Sequence, residues 1–180
     1  AIGARPMRGG TRPDLGETAK GGPHEPSLSE RQLAQVLTSL KSILARFPNS
    51  GVSVNRDGRG VVISLSAAKF FASGDATISP QQIPVLDAVV STLDRYPNHF
   101  EIDGFTDSMP ISNARFPDNW ELSAGRAASV LRYTIVKTGI QPDRFTIAGY
   151  GPYRPIGDNG TETGRALNRR VEIVVREMDL

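Results

Sequence analysis

No cysteine occurs anywhere in the chain, so disulfides and thiolate metal centres are excluded from the outset. Their absence does not assign a compartment. Histidine is nearly missing too, with only His24 and His99, which leaves a Ser-His-Asp centre or a histidine-rich metal site without material. No apolar run approaches the ~20 residues of a membrane-spanning helix, and the first residues have no signal-peptide pattern. A large excess of charge is lacking as well. With 21 basic and 19 acidic residues the net charge is +2, too small a surplus to suggest a nucleic-acid surface. What remains is an ordinary globular composition, 38% apolar and 22% charged, enough for one core and some additions. The chain begins at Ala1 without methionine, and it is expected to be a processed product or a fragment with any anchor lying upstream.

Residues 1–26 hold six glycines and four prolines but only Ile2, Met7 and Leu15 as large aliphatic residues, too little apolar surface to offset ordering entropy; a flexible linker is expected there. Ser27 and Glu30 have capping-box spacing. Leu33, Val36, Leu37, Leu40, Leu44 and Phe47 then recur at helical period until Pro48, which predicts an amphipathic linker helix over 27–48. Its apolar stripe can pack on the domain or on a second copy of itself, the former being favoured.

From 49 to 180 the pattern is that of one α+β domain. Val52–Val54 and Val61–Leu65 flank a turn-rich segment and predict a hairpin. Phe70–Asp75 reads as a loop. Ser79-Pro80-Gln81-Gln82 reads as a capped helix start, with Ile83, Leu86, Val89, Val90 and Leu93 on its buried face. Phe100–Thr106 is a strand, Asn119–Lys137 a helix stopped by Gly139, and 144–148 a further strand. A short helix over 164–169 and a last strand at Val171–Val175 complete the order. The alternation predicts a βαβαβ-type mixed sheet with helices packed on one face, preceded by the linker helix.

Catalysis finds little support. Asp103 and Asp107 are four residues apart on an extended run, about 13 Å at roughly 3.3 Å per residue, too far for an acid/base pair unless the chain bends. Gly149 and Gly151 lack the rest of a phosphate-binding loop. Asp107 stands out because it falls where a strand gives way to a loop, offering a carboxylate to an ammonium group. Arg126, one or two turns into the next helix and at the rim of its apolar face, can grip a carboxylate through two parallel hydrogen bonds. Two readings stay open here: a clamp for a small zwitterion, or a salt bridge between Asp107 and Arg126 themselves. Trp120 is expected to be a core or capping aromatic, and Asn119 a helix cap that can equally touch ligand. Arg165, Asn168, Arg169 and Arg170 form a polar cluster before the last strand. Alternation sends Arg169 and Arg170 to opposite faces, so one at most joins a common site.

The spaced motifs Asp107-Ser108-Met109-Pro110-Ile111, Asn119-Trp120-Glu121-Leu122-Ser123, Gly149-Tyr150-Gly151 and Asn168-Arg169-Arg170-Val171-Glu172 resemble the OmpA-like peptidoglycan-binding family over roughly 61–175. Within that family they are most similar to the members that anchor flagellar motor stators. The resemblance implies a periplasmic domain, tethered to the inner membrane by a segment outside this chain, that holds peptidoglycan without catalysis, cofactor or metal. The ligand it implies is the zwitterionic end of diaminopimelate in the stem peptide. The ammonium-binding aspartate falls on Asp107 and the carboxylate-binding arginine on Arg126. Thr106, Asn119 and Leu122 occupy neighbouring motif positions, and Arg169 or Arg170 matches a further one. The same resemblance implies a homodimer and a channel-forming stator subunit as partners. A static envelope tether, or an anchor of another envelope machine, is the alternative. Two departures from the family pattern are Phe105, where histidine is common, and Ala72, where aspartate is.

Overall fold

The computed structural model describes residues 25–178. The segment 1–26 read as a linker lies almost wholly outside them.

The first helix, α1 (Leu28–Leu44), begins where the capping box requires. Ser27 Oγ accepts from the Glu30 N–H at 3.0 Å, and Glu30 Oε2 accepts from the Ser27 N–H at 2.6 Å, so two donors of the first turn are satisfied reciprocally. Leu33, Val36 and Leu40 are fully buried in the domain's own core. The stripe is therefore covered within the chain.

A hairpin follows, β1 (Val52–Asp57) and β2 (Gly60–Ser66), paired from Val52↔Leu65 to Asp57↔Gly60. One turn of helix, α2 (Ala67–Phe70), precedes the expected loop and shares only Phe70 with it, and Phe71 bridges to Ile78. The helix start near Ser79 differs from expectation. Ser79 makes no capping hydrogen bond, and Pro80–Gln82 form a 3₁₀ turn before α3 (Ile83–Leu93). Pro80 and Pro84, which lack N–H groups, make such a stepped entry cheap. The remaining elements are β3 (Phe100–Phe105), α4 (Asn119–Thr138), β4 (Phe145–Gly149), α5 (Glu162–Asn168) and β5 (Arg170–Arg176). Helix α4 is capped by Asp118, whose carboxylate accepts from the Glu121 N–H at 2.9 Å, and not by Asn119. Gly139, in the left-handed region at φ 74°, ends it as expected.

The five strands form one mixed sheet in the order β1-β2-β5-β3-β4, antiparallel except for the β3–β4 pair. Alternation divides its side chains cleanly. Val61, Ile63 and Leu65, Phe100 and Ile102, and Val171, Ile173 and Val175 join the helices in the core. Gly104 and Gly149 lie side by side in the β3–β4 register and let the backbone of α4 settle directly on the two strands. That seat fixes the helix carrying Arg126 against the strand leading to Asp107.

The face of the sheet turned away from the core holds a buried charge cluster. Asp103 and Glu172 are cross-strand neighbours. Arg59 Nη1 lies 2.7 Å from Glu172 and 4.0 Å from Asp103, while Arg170 Nε donates to Glu172 at 2.7 Å. Burial first, then the negative charges of Glu101 and Glu172, push the Asp103 carboxyl up to about 6, with Arg59 offsetting part of the shift. A carboxyl raised from 3.8 binds its proton more tightly in the folded state. Its charge therefore costs nothing below about pH 4 and costs stability fully above about pH 6. Asp103→Asn is expected to stabilise the domain by about 1 to 3 kcal/mol at pH 7.5 and to change little at pH 4. Urea unfolding of both proteins at the two pH values checks this; an equal difference at both would contradict it.

Candidate functional site

Strand β3 ends at Phe105, and the next two residues are pinned before the chain turns away. The Thr106 N–H donates to Gly151 O at 2.9 Å, and Thr106 Oγ1 donates to the Asp107 carbonyl at 2.9 Å. Asp107 is only 6% exposed. Its Oδ1 accepts from the Met109 N–H at 2.9 Å, and its Oδ2 accepts from Arg169 Nη1 at 2.6 Å. The Met109 carbonyl accepts from Asn119 Nδ2 at 2.9 Å, which ties the loop to the first turn of α4. Leu122 is buried one turn further on.

Arg126 lies deeper than its rim position suggested, at 4% exposure. Nε donates to the Asp75 carbonyl at 2.8 Å, Nη2 donates to the Ala72 carbonyl at 3.2 Å, and the guanidinium lies over the Phe71 ring at 5.1 Å. A guanidinium carries five N–H donors. Two are engaged by these carbonyls, and Nη1 makes no hydrogen bond among the described residues. Burial lowers its pKa to about 10, the charges of Asp75 and Asp107 working against that and Arg169 with it; it stays cationic at neutral pH.

Asp107 and Arg126 line one cleft of about 510 Å³, together with Thr106, Asn119, Leu122, Arg169 and a floor that includes Phe71. The salt bridge weighed between Asp107 and Arg126 is not formed; the partner of Asp107 is Arg169, 28% exposed at its side chain. Arg169 also pairs with Glu162 at 2.5 Å, and Arg165 with Glu162 at 3.0 Å. Arg169 first, then Arg165, hold the Glu162 carboxyl below the usual carboxylate range. A carboxylate with open lone pairs thus faces a guanidinium with open donors across an apolar floor, an arrangement able to take a small molecule bearing both charges.

Arg170 is not brought to this cleft. It lies on the face turned away from the core, 3.8 Å over the Phe105 ring and bonded to Glu172. The cause is the strand alternation that puts Arg169 and Arg170 on opposite sides. Phe105 is buried on that face as well, stacked on Tyr150 at 5.3 Å, so its departure from the family pattern lies away from the cleft. Ala72 contributes its carbonyl to Arg126. Trp120, expected to be a core or capping aromatic, is not in the core: it is 50% exposed and stacked on Tyr153. Sequence reasoning missed Met109, Glu162 and Phe71 as cleft residues. Only Met109, inside the Asp107 motif, carried a signal. Asn168, seen as part of the polar cluster, accepts from the Ile156 and Gly157 N–H groups at 2.7 Å each and shapes the loop beside the cleft.

The OmpA family pattern matches residues 70–169, and the chain belongs to that family. An uncharacterised protein of Bacillus subtilis, YtxE, is 35% identical over 156 residues, 86% of this chain and 64% of that protein. Motility protein B of the same organism is 37% identical over 117 residues, 64% of this chain and 45% of that protein. The chain thus spans less than two thirds of the length of these relatives. Among solved structures, the cell wall anchor of the type VI secretion system of Pseudomonas aeruginosa matches with a TM-score of 0.71 and 31% identity, over 77% of this chain and 97% of that one.

Proposed function

We propose that this domain binds peptidoglycan without catalysis and anchors a flagellar motor stator of the MotA/MotB type to the cell wall. The observation that carries the reading is the meeting of Asp107 and Arg126 in one cleft at the end of β3. A stem-peptide diaminopimelate end presents an ammonium and a carboxylate on one carbon. The ammonium goes to Asp107, beside Arg169, and the carboxylate to the remaining donors of Arg126, with Thr106, Asn119 and Leu122 bordering the ligand. Each charge-assisted hydrogen bond contributes about 1.5 to 3 kcal/mol net.

The stator assignment is supported by the 37% identity to motility protein B. In it, residues 49–180 carry binding, the helix within 27–48 joins them to segment 1–26, and that segment leads to an inner-membrane anchor shared with a MotA-type subunit. The domain works outside the cytoplasmic membrane as a homodimer, where two sites on one polymer raise avidity by roughly 10² to 10⁴. A second reading, anchorage of a secretion machine, is favoured by the likeness to the type VI anchor.

Cosedimentation with purified peptidoglycan tests the binding. Wild type is expected in the pellet and Asp107→Ala in the supernatant; equal retention of both would sink the assigned site. Deleting the gene separates the two machines: paralysed cells with intact flagella support the stator, and swimming cells that fail to secrete support the other.

A further inference from the structure

Beside the cleft, at the residue after its lining Asn119, stands an exposed aromatic pair. Trp120, the next residue and the only tryptophan in the sequence, stacks on Tyr153 with ring centroids 5.0 Å apart and planes at 22°. The two rings are 50% and 68% exposed, unusually open for a stacked aromatic pair. They are also held in place. Gly151, at φ 54°, lies under Trp120, close enough that a Cβ there would stand 3.6 Å from the indole. Its N–H donates to Ser123 Oγ of α4, and its carbonyl accepts the Thr106 N–H. The platform is thus fastened to the same strand end that carries Asp107. Met109, which lines the cleft and is 57% exposed, accepts through its carbonyl from Asn119, the residue before Trp120. Exposed apolar side chains thus stand on the lining of the cleft, at Met109, and one residue beyond it, at Trp120, and exposed apolar surface of this kind marks a binding face.

We propose that Trp120 and Tyr153 form a saccharide subsite that takes a pyranose ring of the glycan strand, next to the cleft that takes the stem peptide. The inference rests on the peptidoglycan reading, because that polymer joins each stem peptide covalently to an N-acetylated sugar. A pyranose presents a face of axial C–H groups, apolar and slightly positive, that suits the negative face of an aromatic ring. Once the peptide sits in the cleft, the attached sugar is confined near the platform, so even a weak contact acts at high effective concentration.

The test compares a sugar-free stem peptide with the same peptide carrying its disaccharide, by calorimetry and by tryptophan emission. Wild type is expected to bind the disaccharide form about three- to tenfold more tightly, and the emission of Trp120 to shift with that form only. Tyr153→Ala and Trp120→Ala should erase the difference and leave the affinity for the sugar-free peptide within about twofold of wild type. Equal affinity of wild type for the two ligands, or a Tyr153→Ala variant that weakens both alike, would overturn the subsite. Failure of the stem-peptide reading has a separate signature: wild type would not bind the sugar-free peptide. Binding of neither ligand overturns both.

Discussion

Gly104→Ala is expected to cost the domain about 3 kcal/mol or more and to lower its melting temperature by about 6 to 12 °C. A Cβ at Gly104 would stand 2.0 Å from the Ser123 carbonyl oxygen and 2.6 Å from its carbon. Both are backbone atoms of α4, with no flexible side chain to swing aside. The helix would have to lift from the sheet, and Gly149, whose Cβ would stand 2.6 Å from the Ala124 nitrogen, shows that the approach is equally close on the neighbouring strand. Gly58→Ala is the control, since a Cβ there meets nothing within 4 Å; its effect should stay within about 0.5 kcal/mol. Chemical denaturation of the two variants decides the matter, and similar losses for both would refute the account of the seat.

Arg126→Lys is expected to weaken ligand binding at least about tenfold, and Arg126→Ala about a hundredfold, the size of one to two charged hydrogen bonds. A lysine keeps the charge but loses the planar fork, and its ammonium cannot serve the Asp75 and Ala72 carbonyls and a ligand carboxylate in the same geometry. Both variants also lose a brace of the 72–75 loop, so affinity alone would confuse contact with folding. A ligand whose carboxylate is amidated separates them. It should bind wild type weakly, and Arg126→Ala should bind the amidated and free-acid forms equally. If the variant still preferred the free acid, the carboxylate would be held elsewhere.

The elements and their apolar faces could be read from the sequence because periodicity is a local property. α1 with its capping box, the hairpin, and Gly139 at the end of α4 all follow from residues within a turn or two of one another. The cap of α4 slipped by one position because Asp118 and Asn119 are both good caps, and only backbone geometry chooses between them. Arg126 looked like a rim residue since its own helix places it at the edge of the apolar stripe; what buries it is Phe71 and the 72–75 loop, some fifty residues away in sequence. The partner of Asp107 was hidden for the same reason. Arg169 is brought to it by the crossing of β5 beside β3, which no spacing within either motif announces.

The tie between Ser29 and Glu177, at 2.9 Å, has a mechanical meaning. Glu177 follows the end of β5, next to the start of β3, where the Arg176 N–H donates to the His99 carbonyl. α1 thus begins at one pole of the sheet, and the cleft opens at the other, beyond Phe105. Under the proposed binding at Asp107 and Arg126, a pull on α1 against the held ligand runs lengthwise along the strands. It loads the ladder hydrogen bonds of β3 and β5 together in shear and cannot peel them apart one at a time, a geometry suited to bearing tension.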